Sequence, residues 1–299
     1  MRGAAVGLIV VAAAAAGAAA QEEPRPEAPA SGIQARAAEP SPGAGAHAAS
    51  AAGGESAGGS AGELAGPGAL DAVIDQGAAR LDRGDWSGAL LVLRPALAYG
   101  ARDPRLQGAL TRAYSEIGED APSGSRAQLA NFERGLEHAR RQVELAPESS
   151  QAHVDLAVML GKIARESGAR TKLRLAPEVA AEARRAIALD PDAWRAYHVL
   201  GVWHREIATL GGFKKLGASL MGGLPEASLE EAIANLETAR RLAPGSIRNH
   251  LELGRTYEKA HRDADARAEL VRAAELPPAE PRDPALQREA RRELAALGS

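Results

Sequence analysis

Seven histidines, two Gly-x-Ser-x-Gly strings and a run of basic side chains are the residues of this 299-residue chain whose types and spacing suggest chemistry. The histidines do not form a metal motif. His198 and His204 are six apart, about 240° around a helix, so they point to different faces. No His-Glu-x-x-His string occurs, and no histidine has another at i+4. The strings Gly54 to Gly58 and Gly58 to Gly62 match the nucleophile elbow of serine hydrolases, which needs a strand before it and a helix after it. Low-complexity Ala, Gly, Pro and Ser sequence produces such strings freely and builds neither element. Zero cysteine excludes disulfides, thiolate nucleophiles and Cys-ligated zinc. A phosphate loop and an intact dinucleotide fingerprint are missing as well. The chain is therefore expected to be no enzyme, with no catalytic residue, metal or cofactor.

Two stretches remain as candidate binding elements. Residues 162 to 174 hold Lys162, Arg165, Arg170, Lys172 and Arg174 against Glu166 alone, a local net of +4. Such a cluster is either a solvated face or an anion site, in which Arg170, Lys172 and Arg174 would meet a phosphate or carboxylate. The segment from Thr209 to Pro225 places Phe213, Leu216, Leu220 and Met221 at helical spacing beside Lys214 and Lys215. That is a short amphipathic helix, which either plugs a gap between larger helices or acts as a lid or membrane contact.

The elements that must position these residues repeat. Counting from His250, the spacing His250, Leu253, Gly254, Tyr257, Ala266, Leu270, Ala273 and Pro278 matches the tetratricopeptide pattern without a gap. The small residues let two helices of one hairpin approach, the large ones fill the space between them, and proline stops the second helix. Upstream, Leu200-Gly201 pairs with Ala232, Leu236, Ala239 and Pro244. Leu156-Ala157 pairs with Ala183, Ala186 and Pro191, Leu110 and Tyr114 with Ala139 and Pro147, and Gly77 with Ala89, Leu93 and Ala96 around the turn Arg83-Gly84-Asp85. The upstream units carry longer inserts between their first (A) and second (B) helices. Pro and Gly are expected at the joints. No segment alternates as strands do. The fold class predicted is all-α, a tetratricopeptide-like solenoid of about five helix pairs closed by a capping helix over 283 to 297.

Ahead of the array, Met1-Arg2 and an uncharged run to Ala20 read as a secretory signal peptide cleaved after Ala20, the alternative being an uncleaved anchor. Residues 21 to 67 contain only Ile33 and Leu64 as large aliphatic side chains and are expected to form a disordered linker to the domain at 68 to 299. All nine aromatic residues lie from Trp86 onward. The chain is thus expected to be exported, periplasmic or secreted. Its net charge of -3 gives no electrostatic reason for nucleic-acid binding.

The strings Arg112 to Glu116, Ala157 to Ile163, Tyr197 to Trp203, Gly222 to Ala232 and Leu253 to Tyr257, in that order, resemble the regulator of microtubule dynamics family over roughly residues 70 to 297. The resemblance implies a helical adaptor, with microtubule association for some members and phospholipid binding or transfer for another. The export signal is a departure from that family and separates this chain from microtubules, whereas an envelope is bordered by membranes. The expected function is non-catalytic binding of a protein or peptide partner in the concave groove, with His153, Lys162, Arg165, Tyr197, His204, His250 and Tyr257 as candidate contacts. For His153 and His250, packing within a hairpin is the other reading. The alternative function is a phospholipid module whose groove is closed by the 209 to 225 insert.

Overall fold

The computed structural model describes residues 68–210 and 226–298, all within the unit Gly58–Ser299. The expected signal peptide, the linker and most of the 209 to 225 insert, with Phe213, Lys214, Lys215, Leu216, Leu220 and Met221, lie outside the described residues. Among the described residues the regular elements are eleven α-helices and no strand. They are α1 (Ala69–Asp82), α2 (Trp86–Gly100), α3 (Pro104–Asp120), α4 (Arg126–Leu145), α5 (Ser150–Glu166), α6 (Ala169–Leu189), α7 (Trp194–Ala208), α8 (Leu229–Leu242), α9 (Ile247–Lys259), α10 (Asp263–Glu275) and α11 (Asp283–Leu297). The fold is an all-α, tetratricopeptide-like solenoid: five hairpins, α1/α2 to α9/α10, each A helix packed on its own B helix, with α11 on the last pair.

Local sequence sets the ends of these helices. Side chains of Asp85, Asp103, Ser125, Ser149, Ser228 and Ser246 accept a backbone N–H two or three residues on. Each satisfies a donor that the first helical turn leaves without a partner. Gly84 turns the chain between α1 and α2 at φ +78°, a conformation that a side chain would strain.

Packing follows the small and large pattern. A Cβ on Gly201 would lie 2.7 Å from Leu236 Cγ and 3.0 Å from the Ala232 carbonyl oxygen, so α7 and α8 touch backbone to side chain there. Leu236 in turn is fully buried, as are Leu93, Phe132, Met159 and Leu270 in the other hairpins. Each such side chain contributes about 1.5–3 kcal/mol by leaving water. Trp203 is buried between α7 and α6 and donates Nε1–H to the Ala176 carbonyl at 2.7 Å.

Two expectations need correcting. In the second and third hairpins the additional residues are not long turns. Only five residues separate α3 from α4 and two separate α5 from α6, because the sequence there keeps helical periodicity and lengthens α4 and α6 to 20 and 21 residues. Nor does proline fall only at joints: Pro95 lies inside α2 and Pro177 inside α6. Both rings are solvent-exposed, so the carbonyl four residues earlier that loses its donor is on the side where water replaces it.

Candidate functional site

B helices cover one side of the row α1, α3, α5, α7, α9. Side chains of this row that pair with the next A helix lie on the opposite, inner face. They are charged and cross-linked. Asp71 and Asp82 of α1 bind Arg105 and Arg112 of α3 at 2.5 and 2.8 Å. Glu119 of α3 receives Lys162 and Arg165 of α5 at 3.0 and 3.1 Å, and Lys162 also donates to Ser115 at 2.7 Å. Arg205 of α7 meets Glu252 of α9 at 2.6 Å, and Arg255 of α9 joins Glu252 to Glu289 and Glu293 of α11.

This crowding shifts protonation equilibria. Burial favours the neutral form of Glu119, but Lys162 and Arg165 outweigh it and bring its pKa to about 2. Glu252 behaves likewise: burial raises it, and Arg205 and Arg255 more than compensate, to about 2. His198 is held down at about 4 by burial, and its Nδ1 lies 2.7 Å from Asn249 Oδ1. Asn249 Nδ2 donates to the Ala239 carbonyl, which leaves Oδ1 as acceptor and places the imidazole proton on Nδ1. Asp155, half-buried on α5, is pushed up to about 6 by burial, against hydrogen bonds from Gln151 and Gln142. Arg248 of α9 is half-buried and has no hydrogen bond or ion pair among the described residues.

The sequence-derived candidates divide. Lys162 and Arg165 stand on the inner row. His153 and His250 do not: each is buried against its own B helix, Nδ1 at 2.5 Å from Glu182 and at 2.6 Å from Glu269. In each, Nε2 donates to a proline carbonyl six residues earlier, Pro147 or Pro244. They clasp a hairpin to the preceding turn. Tyr197, at the same offset from Pro191, is half-buried on α7. His204 is buried edge-on against Trp203, near Arg184 of α6 and Glu231 of α8. Tyr257 donates to Glu237 of α8 at 2.5 Å under the Arg262 guanidinium. Both therefore face the B helices and not the groove. Arg170, Lys172 and Arg174 sit in the first turns of α6. Lys172 pairs with Glu206 at 3.4 Å, and Arg170 and Arg174 are exposed. Among the described residues no three His, Asp or Glu side chains are grouped to hold a metal, and no helix is long and apolar enough to cross a membrane.

A feature with no local signature joins the two ends of the array. After α10 the chain runs as Leu276-Pro277-Pro278-Ala279-Glu280-Pro281-Arg282. Asp283 Oδ2 accepts the N–H groups of Ala279 and Glu280, both at 2.8 Å, and stiffens this strap. Glu280 lies 3.5 Å from Arg195 of α7. Arg282 donates to the Glu116 carboxylate, to the Glu116 carbonyl at 2.5 Å and to Asp120 at 3.0 Å, with its guanidinium 5.7 Å from the Trp86 ring centre. A cleft of about 380 Å³ remains at the seam, lined by Arg83, Gly84, Trp86, Asp120, Pro281, Arg282 and Ala285. Glu116, Asp120, Trp86 and Arg282 escaped the sequence reading because they are far apart in the chain. Only the prolines of the strap marked it as non-helical.

The comparisons agree with this architecture. The family profile described as "Regulator of microtubule dynamics protein 1-3" matches residues 74–298, from α1 through α11. Regulator of microtubule dynamics protein 3 of Mus musculus is 28% identical over 203 residues, covering 67% of this chain and 42% of that protein. Protein 1 of Bos taurus is 26% identical over 192 residues, covering 64% and 61%. The chain thus spans less than half of the mouse relative. A thermophilic TPR protein of Thermus thermophilus superposes with a TM-score of 0.56 at 18% identity, over 76% of this chain and 99% of that one, which shows a shared fold. With its repeats, its hairpin order and this match over three quarters of its length, the chain belongs to the regulator of microtubule dynamics protein 1-3 family.

Proposed function

We propose that the chain is a non-catalytic adaptor that holds a segment of a protein partner on the inner face of its A helices. The observation that carries this reading is the polar character of that face. It presents half-buried charges and hydrogen-bonding groups, among them the neutral His198 and Arg248, which has no counter-ion among the described residues. Such a lining suits a peptide, whose backbone and side chains can answer each group, better than an acyl chain. Site-specific photo-crosslinking from positions around Arg248 in the producing cell tests it. One partner protein should be captured, and the capture should be lost on Arg248→Glu and kept on Arg241→Glu of the exposed face of α8. Equal loss from both variants would defeat the reading.

The phospholipid alternative draws on Phe213, Leu216, Leu220 and Met221, outside the described residues, and on a cleft lined by Ser167, Ala169, Lys172, Leu173 and Leu210. That cleft is about 110 Å³, below the roughly 300–1,000 Å³ of small-molecule sites. Native mass spectrometry of gently purified protein decides for lipid if a phospholipid adduct is present and disappears in Phe213→Asp/Leu220→Asp. We also propose export through cleavage after Ala20. Intact mass of the exported protein should lack residues 1–20. With export, the microtubule role in the relatives' names is not carried over.

A further inference from the structure

The strap has the features of a ligand that the chain supplies to itself. Every hairpin buries its apolar faces on its sequence neighbours, and α11 is held by Ala290, Leu286 and Leu294 against α9 and α10. In a linear repeat array such neighbour contacts carry the fold, so the contact between Arg282 and α3, 166 residues apart, is additional to it. Its chemistry is specific. Two carboxylates and a carbonyl from the C-terminal end of α3, where the helix dipole is also negative, surround one guanidinium, and Trp86 offers its ring face. The segment that delivers this guanidinium is non-helical and turns at Pro281-Arg282, contains three prolines in six residues, and is exposed from Pro277 to Pro281. The cleft of about 380 Å³, lined in part by Pro281 and Arg282, leaves the seam open to solvent.

We infer that Glu116, Asp120 and Trp86 form a docking site for a proline-rich segment of a protein partner that presents an arginine from a turn, and that residues 277–282 occupy it until the partner displaces them. This deepens the adaptor reading and rests on it. The tethered strap competes at the millimolar effective concentration of a short intramolecular linker, so a partner must match its chemistry and add contacts of its own.

The test uses the full chain and a fluorescein-labelled peptide copying residues 277–284, followed by fluorescence anisotropy. Arg282→Ala, which empties the clamp, should bind the peptide at least about tenfold more tightly than the unaltered chain. Adding Glu116→Gln should reverse that gain, and a peptide with alanine in place of its arginine should not bind. Equal affinity of the unaltered chain and Arg282→Ala, or affinity indifferent to Glu116→Gln, overturns the inference. Should circular dichroism show that Arg282→Ala is unfolded, Arg282→Lys serves in its place, because it keeps the charge and loses the planar fork; it should still bind more tightly than the unaltered chain, and no gain overturns the inference. A concentration-dependent dimer of the unaltered chain that is lost in the Arg282 variant would name a second copy's strap as the occupant and also overturn it. Failure of the peptide with retention of Arg248-dependent crosslinking removes the docking site and leaves the adaptor reading standing.

Discussion

Asp155 shows how a single half-buried side chain can oppose folding. Its carboxyl is raised from 3.8 to about 6 because burial penalises the charge more than its neighbours stabilise it. A raised pKa means that the group favours the fold most below pH about 4 and that this contribution is lost as pH rises through about 6. Asp155→Asn mimics the neutral form. It should match the unaltered chain in thermal melts near pH 4 and exceed it by on the order of 1 kcal/mol above pH 7. The two clasping histidines carry the opposite expectation. His250→Ala strands the Pro244 carbonyl and deprives Glu269 of one partner, and should cost about 1–3 kcal/mol in chemical denaturation. That His153 and His250 take the large-residue position of helix A was readable from their spacing. That they face Glu182 and Glu269 was not, since a position fixes a face of one helix and not the side chain opposite it.

At the scale of the helix, the small residues decide. A Cβ on Gly254 would lie 2.8 Å from Leu270 and 3.3 Å from the Ala266 carbonyl oxygen. Gly254→Leu is expected to loosen α9 from α10 and lower the melting temperature, at a cost of about 1–3 kcal/mol or more; an unchanged melt would argue against the repeat register. The five hairpins and the cap were legible because this alternation of small and large residues is written within some thirty residues of chain. What misled were the lengths: extra residues in a periodic stretch prolong a helix as readily as they widen a turn, and α4 and α6 took the first course. Pro95 and Pro177 passed for joints because the sequence does not say which face of a helix meets water.

For the molecule as a whole, the inner ladder sets the response to acid. Glu119 and Glu252, both held near 2, contribute stability that is present above the ordinary glutamate value of 4.5 and is lost as pH falls towards 2. Thermal melts should therefore drop between pH 4.5 and 2, and the Glu119→Gln/Glu252→Gln double variant should show a flatter descent from a lower start. The ladder was only half visible beforehand. Lys162 and Arg165 were noticed as charge, but their partner lies more than forty residues earlier on α3, and ion pairs leave no periodicity to read.

The seam between the strap and α3 also has a history in time. Four of the five hairpins close over two to five residues, whereas joining Arg282 to Glu116 closes a loop of 166 residues, and the entropy of such a closure comes before its reward. A chain emerging from its N-terminus must then complete α10 before its own Arg282 can cover the clamp on α3. Every shortened product that ends before Arg282 carries that clamp bare, so Arg282 reports, by covering it, that all five hairpins have been made.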